Sequence, residues 1–166
     1  MHYLLTVSGE DQIGLVESLA GAIESLGGNW LQSRLCRLEG QFAGIVTVAF
    51  ESEPSNLPDT VKTLQCSWKP MSGTSSDSAK LQQATISILA ADRPGIVKQI
   101  SHVLASGGAN VEEIESRVVS APFSGEQMFE ALYRISVDTG VDRDALRKGL
   151  ESLAEELMCE LQYSES

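Results

Sequence analysis

The chain is poor in the residues that most often carry catalysis, and it has no apolar run long enough to cross a membrane. It holds two histidines and three cysteines among 166 residues. Cys36, Cys66 and Cys159 are widely spaced, with no CxxC pair and no nearby histidine to complete a metal set. Their odd number argues against a disulfide framework, so reduced thiols are expected. No stretch approaches the ~18 consecutive apolar residues of a spanning helix, and the opening Met1-His2-Tyr3-Leu4-Leu5 has no basic lead. A cytoplasmic location is expected. Basic residues are also scarce, 12 against 23 acidic ones, for a net charge of −11. Such a surface repels phosphate, which disfavours direct nucleic-acid binding. The densest basic group, Arg143, Arg147 and Lys148, is interleaved with Asp142, Asp144 and Glu151, as on a solvated helix face.

The chain carries one pattern twice. A shift of 81 positions lays Asp11, Gly14, Val16, Ser25, Gly27 and Asn29 on Asp92, Gly95, Val97, Ser106, Gly108 and Asn110. Apolar positions repeat as well, with Leu5 on Ile86, Val7 on Ile88 and Leu19 on Ile100. Each copy opens with a short apolar strand, residues 3–8 or 84–91. Leu15, Leu19 and Ile23, like Ile96, Ile100 and Leu104, then fall on one helical face. The helix is expected to stop at Gly27-Gly28 or Gly107-Gly108, since glycine adopts the left-handed conformation without a Cβ clash. A second strand follows at 29–38 or 110–119. The third alternates through Phe42, Gly44, Val46 and Val48 or Phe129, Ala131, Tyr133 and Ile135. Glu39-Gly40 makes a short hairpin turn in copy one, whereas copy two has a longer loop, 120–127. Second helices are expected at about 57–66 and 142–156, and closing strands at 67–71 and 158–163.

This order is the α+β, ferredoxin-like plan: tandem βαββαβ units, each an antiparallel sheet with helices on one face. The expected domains are 1–71 and 81–166, joined by a serine- and glycine-rich linker, 72–80. Trp30 and Trp68 are expected in the core or at a sheet interface, and His2 and His102 on the surface. Glu112, Glu113 and Glu115 read as a solvated or partner-facing edge, because strand alternation separates the first from the other two. Burial of Phe123 would make loop 120–127 a structural hairpin; exposure would leave it a lid. No histidine-based triad suggests itself, and no enzyme activity or cofactor is expected.

The sharpest repeated feature is the strand-to-helix turn, Asp11-Gln12-Ile13-Gly14 and Asp92-Arg93-Pro94-Gly95. Free N–H groups and the positive dipole end at a helix start suit a carboxylate, and an aspartate there can meet an ammonium group. Aspartate is equally a preferred helix cap and proline favours the first helical turn, so capping stands beside ligand contact as a reading of both aspartates. Asn29 and Asn110, opening the next strand, offer amide groups to the site or merely shape the turn after the glycines.

The repeated Asp-x-x-Gly-[Leu/Ile]-Val turn, the glycine-terminated helix and the following asparagine resemble the ACT domain, a ferredoxin-like amino-acid-sensing module. The stretch from Asn110-Val-Glu-Glu-Ile-Glu to Gly125-Glu-Gln-Met-Phe, in a chain of two such modules, resembles the glycine cleavage system transcriptional repressor group. The resemblance implies ligand contacts where the first turn meets a neighbouring module. These map to Asp11, Gly14, Leu15 and Asn29, and to Asp92, Gly95, Ile96 and Asn110, with Arg93 and Pro94 in the second turn. Copy one departs from the pattern with Gln12-Ile13. The resemblance further implies a small amino acid such as glycine as ligand, a DNA-binding transcriptional regulator as protein partner, and a homo-oligomer. The acidic chain agrees with action through a protein and not through DNA. A dimerisation module without ligand, or a small hydrolase or transferase, are the alternatives.

Overall fold

The computed structural model describes residues 1–57, 61–71 and 81–165. The chain divides into two compact units, Met1–Thr74 and Ser75–Ser166. The expected linker, 72–80, lies outside the described residues.

In the first unit β1 (His2–Glu10) leads to α1 (Leu15–Ser25), β2 (Asn29–Leu38), β3 (Gln41–Ala49) and β4 (Leu64–Pro70). The antiparallel sheet has the order β2-β3-β1-β4. Alternate residues of β1, namely Tyr3, Leu5 and Val7, are buried with Leu15, Leu19, Ala22 and Ile23 of α1. Each of the valine, leucine and isoleucine side chains contributes roughly 1.5–3 kcal/mol when fully removed from water. Tyr3, Phe50 and Trp68 meet edge to face, with ring centroids 5.9, 6.4 and 5.3 Å apart, and Trp30 packs on the same core. Both tryptophans are thus core elements. The β2–β3 turn has φ of 47° at Glu39 and 74° at Gly40, the double left-handed geometry whose twist matches the flanking strands.

One expected element needs correction. Part of the helix anticipated at 57–66 falls on residues 58–60, outside the described set, and its end is strand, for Leu64 pairs with Gly9 and Cys66 with Val7 in β4. Leu57, Val61 and Leu64 do have helical spacing, but Leu64 is buried and Gln65 exposed, the alternation of a strand.

The second unit runs β5 (Leu81–Ala91), α2 (Ile96–Ser106), β6 (Ala109–Ser120), β7 (Gln127–Asp138), α3 (Arg143–Leu157) and β8 (Glu160–Glu165), with sheet order β6-β7-β5-β8. Ile100 and Leu104 of α2, and Leu146, Leu150 and Leu153 of α3, pack with Ile86, Ile88, Tyr133 and Ile135. The Asp142 carboxylate accepts from the Ala145 N–H at 3.1 Å and caps α3. Met158, with φ of 49°, closes the helix, so β8 starts two residues later than expected. As anticipated, glycines in the left-handed region follow α1 and α2, with φ of 73° at Gly27 and 71° at Gly108.

Candidate functional site

Each first strand ends one residue before the repeated aspartate, and the sheet then holds that aspartate by its backbone. Asp11 N–H donates to the Gly40 carbonyl and Asp92 N–H to that of Gln127, both at 2.9 Å. The chain next turns at Gly14 and Gly95, whose φ values of 87° and 90° place them in the left-handed region as helix N-caps. Neither helix start receives a side-chain cap. The Ser18 N–H donates to Gly14 and the Gln99 N–H to Gly95, so the donors of Val16 and Glu17, and of Val97 and Lys98, precede the first helical hydrogen bond. The capping reading of Asp11 and Asp92 is therefore overturned. They lie three residues ahead of the cap, as continuations of the strands.

The two aspartates differ in their surroundings. Arg37 Nε lies 2.6 Å from Asp11 Oδ2 and pairs with it. Position 118, the counterpart of 37 under the 81-residue shift, is valine, and among the described residues the Asp92 carboxylate has no side-chain partner. Arg93 instead donates to Gln99 Oε1 at 3.3 Å. Ile13 and Pro94 are exposed, whereas Leu15 and Ile96 are buried. These last two can offer a ligand only their main-chain groups.

Asn29 and Asn110 are not near these turns. Asn29 is level with Ala49 and His2, while Leu38 is level with Gln41 and Glu10. At about 3.4 Å per residue, Asn29 stands roughly 25 Å from the turn of its own unit. In the second unit Asn110 pairs with Ser136 and Val119 with Met128, next to Asp92, so the same separation holds. The reason is that α1 and α2 carry the chain back along the full sheet before the next strand begins. Asn110 Nδ2 donates to Glu112 Oε1 at 2.9 Å, and the buried Ser136 hydroxyl donates to the same oxygen.

The remaining chemistry is structural in character. Arg134 pairs with Glu113 and lies 3.6 Å from Glu115, and the hydrogen bond and charge of Glu113 raise its pKa. Among the described residues no group of histidine, cysteine and carboxylate side chains is arranged to hold a metal ion. His2 and His102 are exposed. Burial pushes the thiols of Cys66 and Cys159 up, the nearby Arg93 charge opposing the shift at Cys159; both stay protonated at neutral pH. Cys36 is exposed. Phe123 is fully exposed at the tip of the β6–β7 loop, so the structural-hairpin role is not supported. The Arg37–Asp11 pair and its absence at Val118 went unread in the sequence, although the repeat offset alone would have matched those positions. Two open depressions, of about 550 and 440 Å³, lie on the outer sheet faces and not at the turns.

Comparison with known proteins agrees with this fold. A family model described as the ACT domain matches residues 2–65. A UPF0237 protein of Methanopyrus kandleri is 37% identical over 73 residues, 44% of this chain and 80% of that protein. Among solved structures, an unknown protein from Galdieria sulphuraria aligns over 99% of this chain and 98% of its own, with 24% identity and a TM-score of 0.84. A candidate glycine cleavage system transcriptional repressor aligns over 99% and 96%, with 15% identity and a TM-score of 0.67. These two full-length likenesses show the two-unit fold, the family model places an ACT domain at residues 2–65, and the Methanopyrus kandleri match, 37% identical over 80% of that protein, shows the kinship: the chain belongs with the UPF0237 proteins and carries an ACT domain in its first unit.

Proposed function

We propose that this protein is an amino-acid-responsive regulator that binds its ligand at the β5–α2 turn and acts on another protein. The observation that carries the reading is the helix start behind Gly95, which receives no side-chain cap, with the Asp92 carboxylate, unpaired among the described residues, three residues ahead of it. A zwitterion fits such a pair of features, its carboxylate taking the free N–H groups at the positive end of α2 and its ammonium meeting Asp92. Arg93 and Pro94 lie in the same turn. The β1–α1 turn has the same backbone but a carboxylate already held by Arg37, so in this reading it is closed or much weaker. Asn29 and Asn110 stand too far from the turns of their own units to contribute there.

The likeness to a candidate glycine cleavage system repressor supports glycine as the first ligand to test and a DNA-binding regulator as the partner. The net charge of −11 favours a protein route over direct contact with DNA. Ligand binding would shift affinity for the partner by a coupling of ~1–3 kcal/mol. Calorimetry and thermal shift with glycine and the other common amino acids test the sensing step. A ligand at one hundred times its Kd stabilises the fold by about 2.7 kcal/mol, and no heat and no shift with any amino acid would end this reading. Capture of a transcription factor from a bacterial extract, with and without glycine, tests the second step, since recovery that ignores the ligand favours a scaffold.

A further inference from the structure

Phe123 stands in water, 103% exposed, on a β6–β7 loop that is nevertheless well built. Between the paired ends Ser120 and Gln127, the Ala121 N–H donates to the Glu126 carbonyl at 2.8 Å and the Gly125 N–H to the Ala121 carbonyl at 3.0 Å. The Glu126 N–H donates to Ser124 Oγ, and Gln127 Nε2 donates to Ser120 Oγ at 2.9 Å. Pro122 fixes one φ, and Gly125 takes another of 69°. These contacts close the loop on itself, while residues 122–126 are all exposed and stand clear of the core. Such a tip can tilt about its two ends without breaking the sheet.

The loop lies beside the β5–α2 turn. β7 neighbours β5 in the sheet, and Gln127, where the loop rejoins the sheet, accepts the Asp92 N–H at 2.9 Å. Phe123 is three residues from Ser120, so its Cα lies within roughly 10 Å of the sheet end, and adjacent strands are only about 4.8 Å apart. The ring is therefore within reach of a molecule held between Asp92 and the start of α2. The first unit has the same turn but only Glu39-Gly40 in place of the loop, and there Arg37 already holds Asp11. The long loop thus belongs to the copy whose aspartate is open among the described residues. Neither of the two open depressions lies at that turn, so a ligand seated on Asp92 and the α2 start would lack a wall on its solvent side.

We infer that the β6–β7 loop supplies that wall, with Phe123 closing over the carbon side of the bound amino acid. Covering the ligand removes water from its ammonium and from Asp92, and their attraction strengthens in the less polar surroundings. An apolar ring also sets the class of ligand. A small uncharged side chain fits beneath it, whereas a charged one would be buried there without a partner. The inference rests on the amino-acid reading of this turn and adds to it a ligand-contacting residue.

The full chain is titrated by calorimetry with each of the common amino acids, and its Phe123 variants with those that bind. Phe123→Ala should weaken binding about tenfold, the effect of uncovering about half of such a side chain, and Phe123→Leu should keep most of the affinity. Both should melt like the wild type without ligand, because residue 123 lies outside the core. The emission of Phe123→Trp should move to shorter wavelength as the amino acid is added, while the wild type, whose Trp30 and Trp68 both lie in the first unit, should show no such change. Wild-type binding that Phe123→Ala leaves unchanged, or Phe123→Trp emission that does not move at saturation, would overturn this inference and leave the sensing reading standing. Absence of binding by the wild type to any amino acid would overturn both. Normal ligand affinity in Phe123→Ala with loss of self-association or of a protein partner would assign the ring to a protein contact instead.

Discussion

Arginine at position 118 should close the second turn as Arg37 closes the first. The strands share one register, Arg37 pairing with Phe42 and Val118 with Phe129, its counterpart on the next strand. A guanidinium placed there approaches Asp92 as Arg37 approaches Asp11, at 2.6 Å. In the proposed site the ligand's ammonium would then lose a charge-assisted hydrogen bond contributing about 1.5–3 kcal/mol, weakening binding roughly 10- to 150-fold. Position 118 is 51% exposed, so stability should move by less than about 1 kcal/mol, as surface ion pairs usually do. The opposite change, Arg37→Val, frees Asp11 at a similarly small cost and should add a second, weaker site per chain. Titration calorimetry on the wild type and both variants, with melting curves to confirm folding, reads affinity and stoichiometry together. Unchanged affinity and stoichiometry in Val118→Arg would refute the assignment of the ammonium to Asp92.

Other outcomes follow from the same geometry. Among the described residues the buried Tyr133 hydroxyl has no hydrogen-bond partner, so Tyr133→Phe should stabilise the second unit by about 1 kcal/mol in urea titrations. Burial raises the pKa of this phenol from 10.0 to about 12, favouring its neutral form. Its contribution is thus fully present below pH 10 and lost as pH climbs from 10 toward 12; between pH 9 and 11 the loss is roughly 1 kcal/mol, and Tyr133→Phe should not show it. Gly95→Ala meets open space but must adopt φ near 90°, so it should cost roughly 1–2 kcal/mol in chemical denaturation through backbone strain alone. In timed alkylation near neutral pH, read by mass spectrometry, exposed Cys36 should be labelled first, and Cys66 and Cys159 slowly because burial keeps their thiols protonated.

The strands and the first helix of each copy were legible because their signals are local and doubled. Leu5, Val7 and Leu19 have counterparts in Ile86, Ile88 and Ile100, and all six are buried. The helix ends were equally readable, since a left-handed residue after a helix calls for glycine. The segment before β4 was misread because three apolar residues at helical spacing fit the inner face of a strand that begins at the third. Asn29 and Asn110 looked close to the aspartates because a turn and one helix separate them in sequence. An 11-residue helix is about 16 Å long, and it returns the chain to the far end of the sheet. Proximity in sequence across one helix therefore meant distance in space. The state of Asp11 and Asp92 was not legible from their own neighbours, since it depends on an arginine or valine about 26 positions along the chain.

The two copies differ most where the fold constrains side chains least. Inward positions must fill a shared core, and a methylene gained or lost there is felt throughout the unit. Positions outside the cores, such as 34 and 115 or 43 and 130 on the outer faces and 37 and 118 beside the turns, carry no such demand, and each pair differs in charge. Identical register fixes which of these side chains faces a turn and which faces outward. One duplicated scaffold can thus hold a closed turn and an open one with the same backbone. Exchanging the residues at 37 and 118 should then move ligand binding from one turn to the other while leaving the melting temperature of each unit nearly unchanged.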